Sequence, residues 1–464
     1  MAKAKGPLHL VSAKLTREEK IIHGKGIRDK VSRADHAEWK PKSSRPDPVG
    51  ILIESSKGRD ENLLPIRYGR MLSSPFAFYR GAASIMASDL STTPRTDIIV
   101  QACGDCHLVN FGGFATPERS LAFDINDFDE TLPAPWEWDL KRLAVSFVIA
   151  GQNNGLSDSD VRDAAIACVR SYREWINEFS KMSILDRWYY IIDGEMVIDH
   201  VDDKEWQKQM RARVKAEEKK SSPFTAFPKM IEQKDGELRI KDEPPLIFHP
   251  DNTEHNKSFQ KLLHAAFDKY RGTLSDDKKL LLDHYELKDM AMKVVGVGSV
   301  GTRCGILLMM SATNEPLFLQ VKEARVSVME KFVPKSLYKN RGQRVVVGQR
   351  IMQSASDMFL GWTEGAQGRH FYIRQLRDTK IKPLVETFTA YRMEKYASLC
   401  GWTLARAHAK GGNPAVIAGY LGKNEKFDNA IAKFSLSYAG QNEKDFEALK
   451  DAVRKGKLRA VTVD

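Results

Sequence analysis

The 464 residues carry 72 lysines and arginines against 61 aspartates and glutamates, a formal net charge of +11. No apolar run approaches the roughly 20 residues that a membrane helix needs, and a chain this long with 42% hydrophobic residues can bury a large core; a soluble globular protein of two or three lobes is expected, without a membrane span. The basic balance favours an anionic partner, whether nucleotide, phosphorylated substrate, nucleic acid or acidic lipid, and no nucleic-acid motif accompanies it.

Residues 1–62 are rich in Lys, Arg, Pro and Ser, with KPKSSRPDP at Lys40 to Pro48 and little apolar periodicity. They read as a basic, extended or partly disordered arm. The first twenty residues lack the apolar core of a secretory peptide, so a cytoplasmic location is expected. Leu64 to Leu90 reads as two helices. Arg67, Arg70 and Arg80 there suit either phosphate or carboxylate recognition through bidentate guanidinium groups, or pairing with nearby loop acids.

An apolar strand at Ile98 to Ala102 then delivers a tight Cys-Gly-Asp-Cys-His turn, and a second strand at Ser120 to Ile125 delivers Asn126-Asp127-Phe128-Asp129. Two acidic turns on neighbouring strand ends make a cation site. Asp105, Asn110, Asp127 and Asp129 are the hard oxygen donors that magnesium prefers, and few enough to leave room for substrate phosphates. Asp124, inside the strand, reads as structural, and would replace Asp127 only if the register were shifted by two or three residues. Cys103, Cys106 and His107 also fit the C-x-x-C-H pattern of haem attachment, and the cysteines alone a redox pair. Five cysteines without an export signal describe a reduced chain and oppose both readings. Pro135 to Ala150 is a long apolar helix expected to stop at Gly151, with Asp139 in its first turn where the helix dipole favours a negative charge.

Helices follow at about Asp158 to Met182, ending near Lys181, and at Asp203 to Lys220, the latter a solvated surface helix. A proline-rich connector from Phe224 to Pro250 carries a hairpin at Asp235-Gly236 and a structural His249. Lys257 to Arg271 is another amphipathic helix. From Leu287 the pattern becomes strand, glycine turn, strand, polar turn at Ala312 to Asn314, and strand. Gly296, Gly298 and Gly301 form G-x-G-x-x-G between two strands, where a dinucleotide fingerprint needs a strand followed by a helix. Such glycines let backbone N–H groups come close to phosphates, and Lys322 follows on the next strand. Gln343 to Ala355 reads as a helix, Asp357 to Trp362 and Arg369 to Leu376 as strands, Pro383 to Ala409 as a helix, and Asn413 to Asp464 as one or two more.

Several of these stretches resemble known motifs. Asp105 precedes Asn110 by five positions, as in the H-R-D-x-x-x-x-N loop of protein kinases; GDCHLVN resembles the G-D-x-H-x-x-N loop of the aminoglycoside and choline phosphotransferases, and INDFD their I-D-F-D turn. Taken together, FYRGAA, GDCHLVNFGGF, FDINDFDE and EWDLKRLAVS resemble the bacterial family DUF2252. LARAHA, at Leu404 to Ala409, is similar to the helix that leads into the catalytic loop of aminoglycoside-type enzymes. That loop lies some three hundred residues upstream here, so the resemblance implies a kinase-like two-lobed α+β fold with circularly permuted connectivity: residues 63–286 as the catalytic-loop lobe, 287–380 as the glycine-loop lobe, and 381–464 as helices returning to the first. Ala409 should then lie near the start of the Ile98 strand, and Lys322 should face Asp127 across one cleft.

The same resemblance implies ATP and magnesium as cofactors, with Gly296, Gly298, Gly301 and Lys322 on the nucleotide phosphates and Asn110, Asp127 and Asp129 on the metal. Asp105 would accept the acceptor proton, His107 would position the loop or acceptor, and Asp139 would prop the loop from behind. Gln375 to Asp378 would be the hinge facing an adenine. The regulatory helix lacks the usual glutamate, leaving Glu323, Glu330, Gln343 or Gln349 as partners for Lys322. The expected activity is phosphoryl transfer to a small hydroxyl compound, a metabolite or something antibiotic-like; adenylyl transfer from the same cleft and a nucleotide-binding pseudokinase or scaffold are the alternatives.

Overall fold

A computed structural model of the chain describes residues 14–220, 230–234, 237–249, 257–294, 296, 298, 300–376 and 380–461. The mixed helices and sheets make an α+β fold. Its largest core forms around helix Trp136–Asn153, whose residues from Trp136 to Gly151 are all buried. A helix buried all round must be covered on every side, and three others do most of this: Asp158–Lys181, Ala390–Gly411 and Lys426–Arg454. Aromatic stacking fixes two of the crossings, Trp136 on Tyr172 with centroids 5.5 Å apart and Trp175 on Trp402 at 4.2 Å.

Against this bundle lie two small sheets. Strands β1 (Ile99–Ala102) and β4 (Leu132–Pro135) pair antiparallel, while β2 (Phe111–Ala115) and β3 (Leu121–Ile125) form a hairpin extended by β13 (Lys380–Ile381). A second lobe is built on six antiparallel strands in the order β11 (Gly361–Glu364), β12 (His370–Gln375), β10 (Pro316–Glu323), β9 (Cys304–Ser311), β8 (Tyr285–Lys293) and β7 (Ile247–Phe248). Cys304 to Met310 are buried without alternation. Both faces of β9 are covered: Leu307 and Met309 meet Tyr270, Leu274 and Leu282, and Ile306 and Leu308 meet Ile240. That double covering makes a continuous apolar strand rather than an amphipathic one.

Several sequence expectations are corrected. Residues 14–62 are not an extended arm. Helix Arg17–Ile27 starts at a Thr16/Glu19 capping box and lies on helix Pro414–Leu421, where Arg28 Nε donates to the Tyr420 carbonyl at 2.7 Å. Arg45 bridges Asp89 at 2.8 Å and Asp445 at 2.5 Å. The basic residues that composition assigned to solvent are partners for carbonyls and carboxylates almost four hundred positions away. Residues 1–13 of the expected arm, the turn at Asp235-Gly236 between β5 (Ile231–Lys234) and β6 (Glu237–Ile240), and residues 377–378 of the expected hinge lie outside the described residues.

The lobe boundary at 286/287 also moves toward the N-terminus, because β7 pairs with β8 and helix Lys257–Arg271 lies on β11. Leu64 to Leu90 holds three helices, since Ser74 caps a new start before Pro75 and Ala82 leaves helical backbone. Helix Trp136–Asn153 runs through Gly151. Asp357 is a turn residue, its carboxylate accepting from the N–H groups of Phe359 and Gln375. The helix expected from Pro383 begins at Ala390, capped by Thr389.

Candidate functional site

Between the helical lobe and the six-stranded sheet lies a cavity of about 740 Å3. Its floor is the segment after β1. The Asp139 carboxylate, 1% exposed, accepts from Cys103 N at 2.6 Å and Gly104 N at 2.9 Å, pinning the turn from behind. Asp139 is itself held by His408 Nε2 at 3.2 Å, whose Nδ1 is 2.8 Å from the Tyr172 hydroxyl. Gly104 has φ +84°, and a Cβ there would sit 2.5 Å from the Glu130 carbonyl, so the two acidic turns approach as closely as they do only because this residue is glycine.

Asp105 follows. Its Oδ1 accepts from Arg142 Nε at 2.7 Å and from a terminal Arg142 nitrogen at 2.5 Å, while Oδ2 lies 4.0 Å from His107 Nε2, beyond hydrogen-bond reach. Asn110 Nδ2 donates to the Asp105 carbonyl at 2.8 Å, and its amide oxygen accepts from no group among the described residues. His107 is 3% exposed, with Nδ1 unbonded. Burial, then the nearby Arg80 and Arg142, push its pKa well below the ordinary value, so it is neutral at pH 7.

The second acidic turn follows β3. Asp124 belongs to the support, not the cavity: Arg406 reaches its Oδ1 at 2.6 Å, and the Ser354 hydroxyl and N–H reach Oδ2 at 2.7 Å. Asp129 Oδ2 takes Lys322 Nζ at 2.7 Å and its Oδ1 the Tyr372 hydroxyl at 2.6 Å. Lys322 and Tyr372 are directly opposite in the β10–β12 register, so the sheet presents them as one unit. Asp127 has Oδ2 3.8 Å from the same Lys322 nitrogen and Oδ1 3.1 Å from Asp129 N. The two carboxylates differ in consequence. Burial and the Asp129 charge raise the Asp127 pKa. For Asp129, burial is outweighed by Lys322 and Tyr372, and its pKa is lowered. Burial likewise opposes the charge on Lys322, but Asp127 and Asp129 outweigh it and hold the ammonium protonated.

The partner of Lys322 is therefore the acidic turn, and none of the four residues considered from sequence. Helix Arg341–Met352 contributes Arg344 instead, which donates to the Asp129 carbonyl at 2.8 Å and the Thr131 carbonyl at 2.6 Å. Glu323 is taken by Arg369 at 3.2 Å, and Gln349 by Gln353 at 2.8 Å.

Gly296 and Gly298, between β8 and β9, line the cavity roof, whereas Gly301 lies behind the lining with φ +82° and its carbonyl accepting from Asp60 N at 2.7 Å. The cavity thus collects Asp105, His107, Asn110, Asp127, Asp129, Gly296, Gly298 and Lys322, and leaves Gly301 at its edge. It also contains Arg59, Arg325 and Arg374, to which no motif pointed, since they come from three separate segments. Arg142 and His408 sit inside quoted motifs, and only contact with Asp105 and Asp139 distinguishes them from ordinary helix residues.

Cys103 and Cys106 are buried and unbridged. Their mutual hydrogen bond lowers the Cys103 pKa, but burial and three nearby aspartates outweigh it; burial raises Cys106 directly. Thiols so placed are poor thiolates, opposing both the redox and the haem readings. No group of three or more His, Cys, Asp or Glu gathers as a metal centre among the described residues. Two carboxylates and one amide oxygen are too few for a closed site, but they suit a hard divalent ion that completes its shell with phosphate oxygens and water. Asp127, beside Asp129 and with no hydrogen-bonded cation of its own among the described residues, is the observation that fits such an ion.

A family model described as an uncharacterized protein conserved in bacteria (DUF2252) matches residues 59–452. No curated protein matches the chain. No solved structure matches it either.

Proposed function

The chain belongs to the DUF2252 family, and from the geometry of its cleft we propose that it is an ATP- and magnesium-dependent phosphotransferase with kinase-like lobes in permuted order. One observation carries the reading. Lys322 on the sheet and Asp129 on the acidic turn, 193 positions apart, meet at 2.7 Å in a cavity that also holds a positioned aspartate, an asparagine five residues on, and two loop glycines. The permuted order is supported by the end of helix Ala390–Gly411, where a Cβ on Gly411 would stand 3.0 Å from Gln101 Cβ in β1.

In this reading the N–H groups near Gly296 and Gly298 approach the nucleotide phosphates, and Lys322 leaves Asp129 to take a phosphate oxygen. Magnesium, held by Asn110, Asp127 and Asp129, would neutralise charge on the β- and γ-phosphates. Asp105, locked through one oxygen by Arg142, keeps the other free to receive the acceptor hydroxyl proton. The acceptor oxygen forms a bond to the γ-phosphorus as the bond from that phosphorus to the β-phosphate oxygen breaks; ADP departs and the proton rests on Asp105. Asp139, His408 and Tyr172 do no chemistry and hold the loop.

Calorimetric titration with ATP, with and without magnesium, tests this. Magnesium-dependent binding that Asp127→Asn and Lys322→Ala each weaken at least tenfold is the expected result. Absence of nucleotide binding under both conditions refutes it.

A further inference from the structure

The lining of the cleft carries more cationic than anionic side chains. Eight lysines and arginines line the cavity against six carboxylates. Three of the carboxylates are committed: Asp105 to Arg142, Asp129 to Lys322, and Glu323 to Arg369. Four guanidinium groups in the lining, those of Arg59, Arg67, Arg80 and Arg325, have no carboxylate within ion-pair distance among the described residues.

Arg59 donates to the Val300 carbonyl at 2.7 Å and weakly to that of Ser55. Arg325 bonds the carbonyls of Ser55 and Lys57. Arg67 is 1% exposed and bonds Ser56 Oγ at 3.2 Å and the Gly81 carbonyl at 3.0 Å, with Nε unbonded. Arg80 makes no hydrogen bond or ion pair to any described residue, and its Nε is buried without a partner. Desolvating cations without counter-charges is costly, and like charges side by side add to the cost. Burial together with Arg67 and Arg325 pushes Arg59 down to about 9.

Placement beside the reacting groups is built into the fold. Helix Pro75–Gly81 is tied to helix Trp136–Asn153 by reciprocal bonds, the Tyr79 hydroxyl to the Arg142 carbonyl at 2.7 Å and an Arg142 terminal nitrogen to the Tyr79 carbonyl at 3.1 Å. Arg142 is the residue that fixes Asp105, so Arg80 is carried to the same corner as the proposed base. Val300 and Gly301 reach the same segment, the Gly301 carbonyl accepting from Asp60 N and the Val300 carbonyl from Arg59.

We propose that Arg59, Arg67 and Arg80 form an acceptor subsite for a phosphate group, so that the compound phosphorylated is itself an anionic phosphate ester with a free hydroxyl. This rests on the phosphotransferase reading and narrows it: three guanidinium groups around one pocket match a dianion through several charge-assisted bonds and reject a polycationic acceptor of the aminoglycoside kind.

The experiment titrates inorganic phosphate into the full-length protein saturated with magnesium and an ATP analogue bridged by a β,γ-imido group, so that the nucleotide site is already filled. Arg80→Gln and Arg59→Gln are compared with the parent, and Arg80→Lys serves where a glutamine variant does not fold. Phosphate binding to the filled protein, weakened at least tenfold by the glutamine variants while analogue affinity stays within about twofold, is expected. Two results overturn the proposal: no phosphate binding to the filled protein, or an equal loss of analogue affinity, which assigns the arginines to the nucleotide. If the analogue does not bind, the phosphotransferase reading fails separately, and the subsite stands or falls on whether the free protein binds phosphate through the same arginines.

Discussion

The turn that presents Asp105 depends on one buried carboxylate, and removing it should cost stability in a calculable way. In Asp139→Ala the N–H groups of Cys103 and Gly104 lose their acceptor, and His408 loses its partner while still bonded to Tyr172. Each buried donor left unpaired costs about 1–3 kcal/mol, and at 1% exposure little water can replace the carboxylate. The two N–H groups then give a loss of roughly 2–6 kcal/mol, a large part of the 5–15 kcal/mol by which domains are typically stable. Asp139→Asn keeps one acceptor oxygen, so it should lose about half as much. Urea denaturation followed by tryptophan fluorescence suits the measurement, since Trp136 and Trp138 lie on the affected helix. A midpoint for Asp139→Ala matching the parent to within about 1 kcal/mol would refute the argument that this carboxylate holds the loop.

Two further outcomes follow from the same geometry. Asp127 has its pKa raised in the folded protein, so its ionised form is disfavoured there and costs stability above that pKa; Asp127→Asn should raise the denaturation midpoint at neutral pH, an advantage that disappears as pH falls through the raised pKa and the parent carboxyl protonates. Magnesium-dependent nucleotide binding should weaken over the same acid range, because a protonated Asp127 is a poor ligand, and an unchanged magnesium dependence there counts against its role. Gly104→Ala should destabilise by about 1–3 kcal/mol, since φ +84° is strained for alanine and its Cβ would stand 2.5 Å from the Glu130 carbonyl; a thermal melt equal to the parent's contradicts the close approach of the two turns.

What could be read from the sequence was local. The strand, turn and strand pattern of residues 98–130 depends on neighbours in the chain, as does helix Asp158–Lys181, which carries its own Ser157/Asp160 capping box. The N-terminal segment was misread for the opposite reason. Its lysines and arginines look solvated in composition, and only the fold supplies Asp445 to Arg45 and the Tyr420 carbonyl to Arg28. The same limit applies to the start of helix Ala390–Gly411, where Pro383 offers a permissible first residue but the chain is first held by β13 against β2.

The candidate site divides along this line. Residue types and spacings within single turns determined that Asp105, Asn110, Asp127 and Asp129 are available as oxygen donors, because short-range backbone geometry places such side chains without help from distant parts. Which charges face each other was decided by the tertiary structure alone. Lys322 meets Asp129, Asp124 is consumed by Arg406, and Arg59, Arg67 and Arg80 line one cavity with no ion pair among the described residues. The Coulomb energy of a charge depends on its distance to every other charge and on the water displaced around it; the fold sets both.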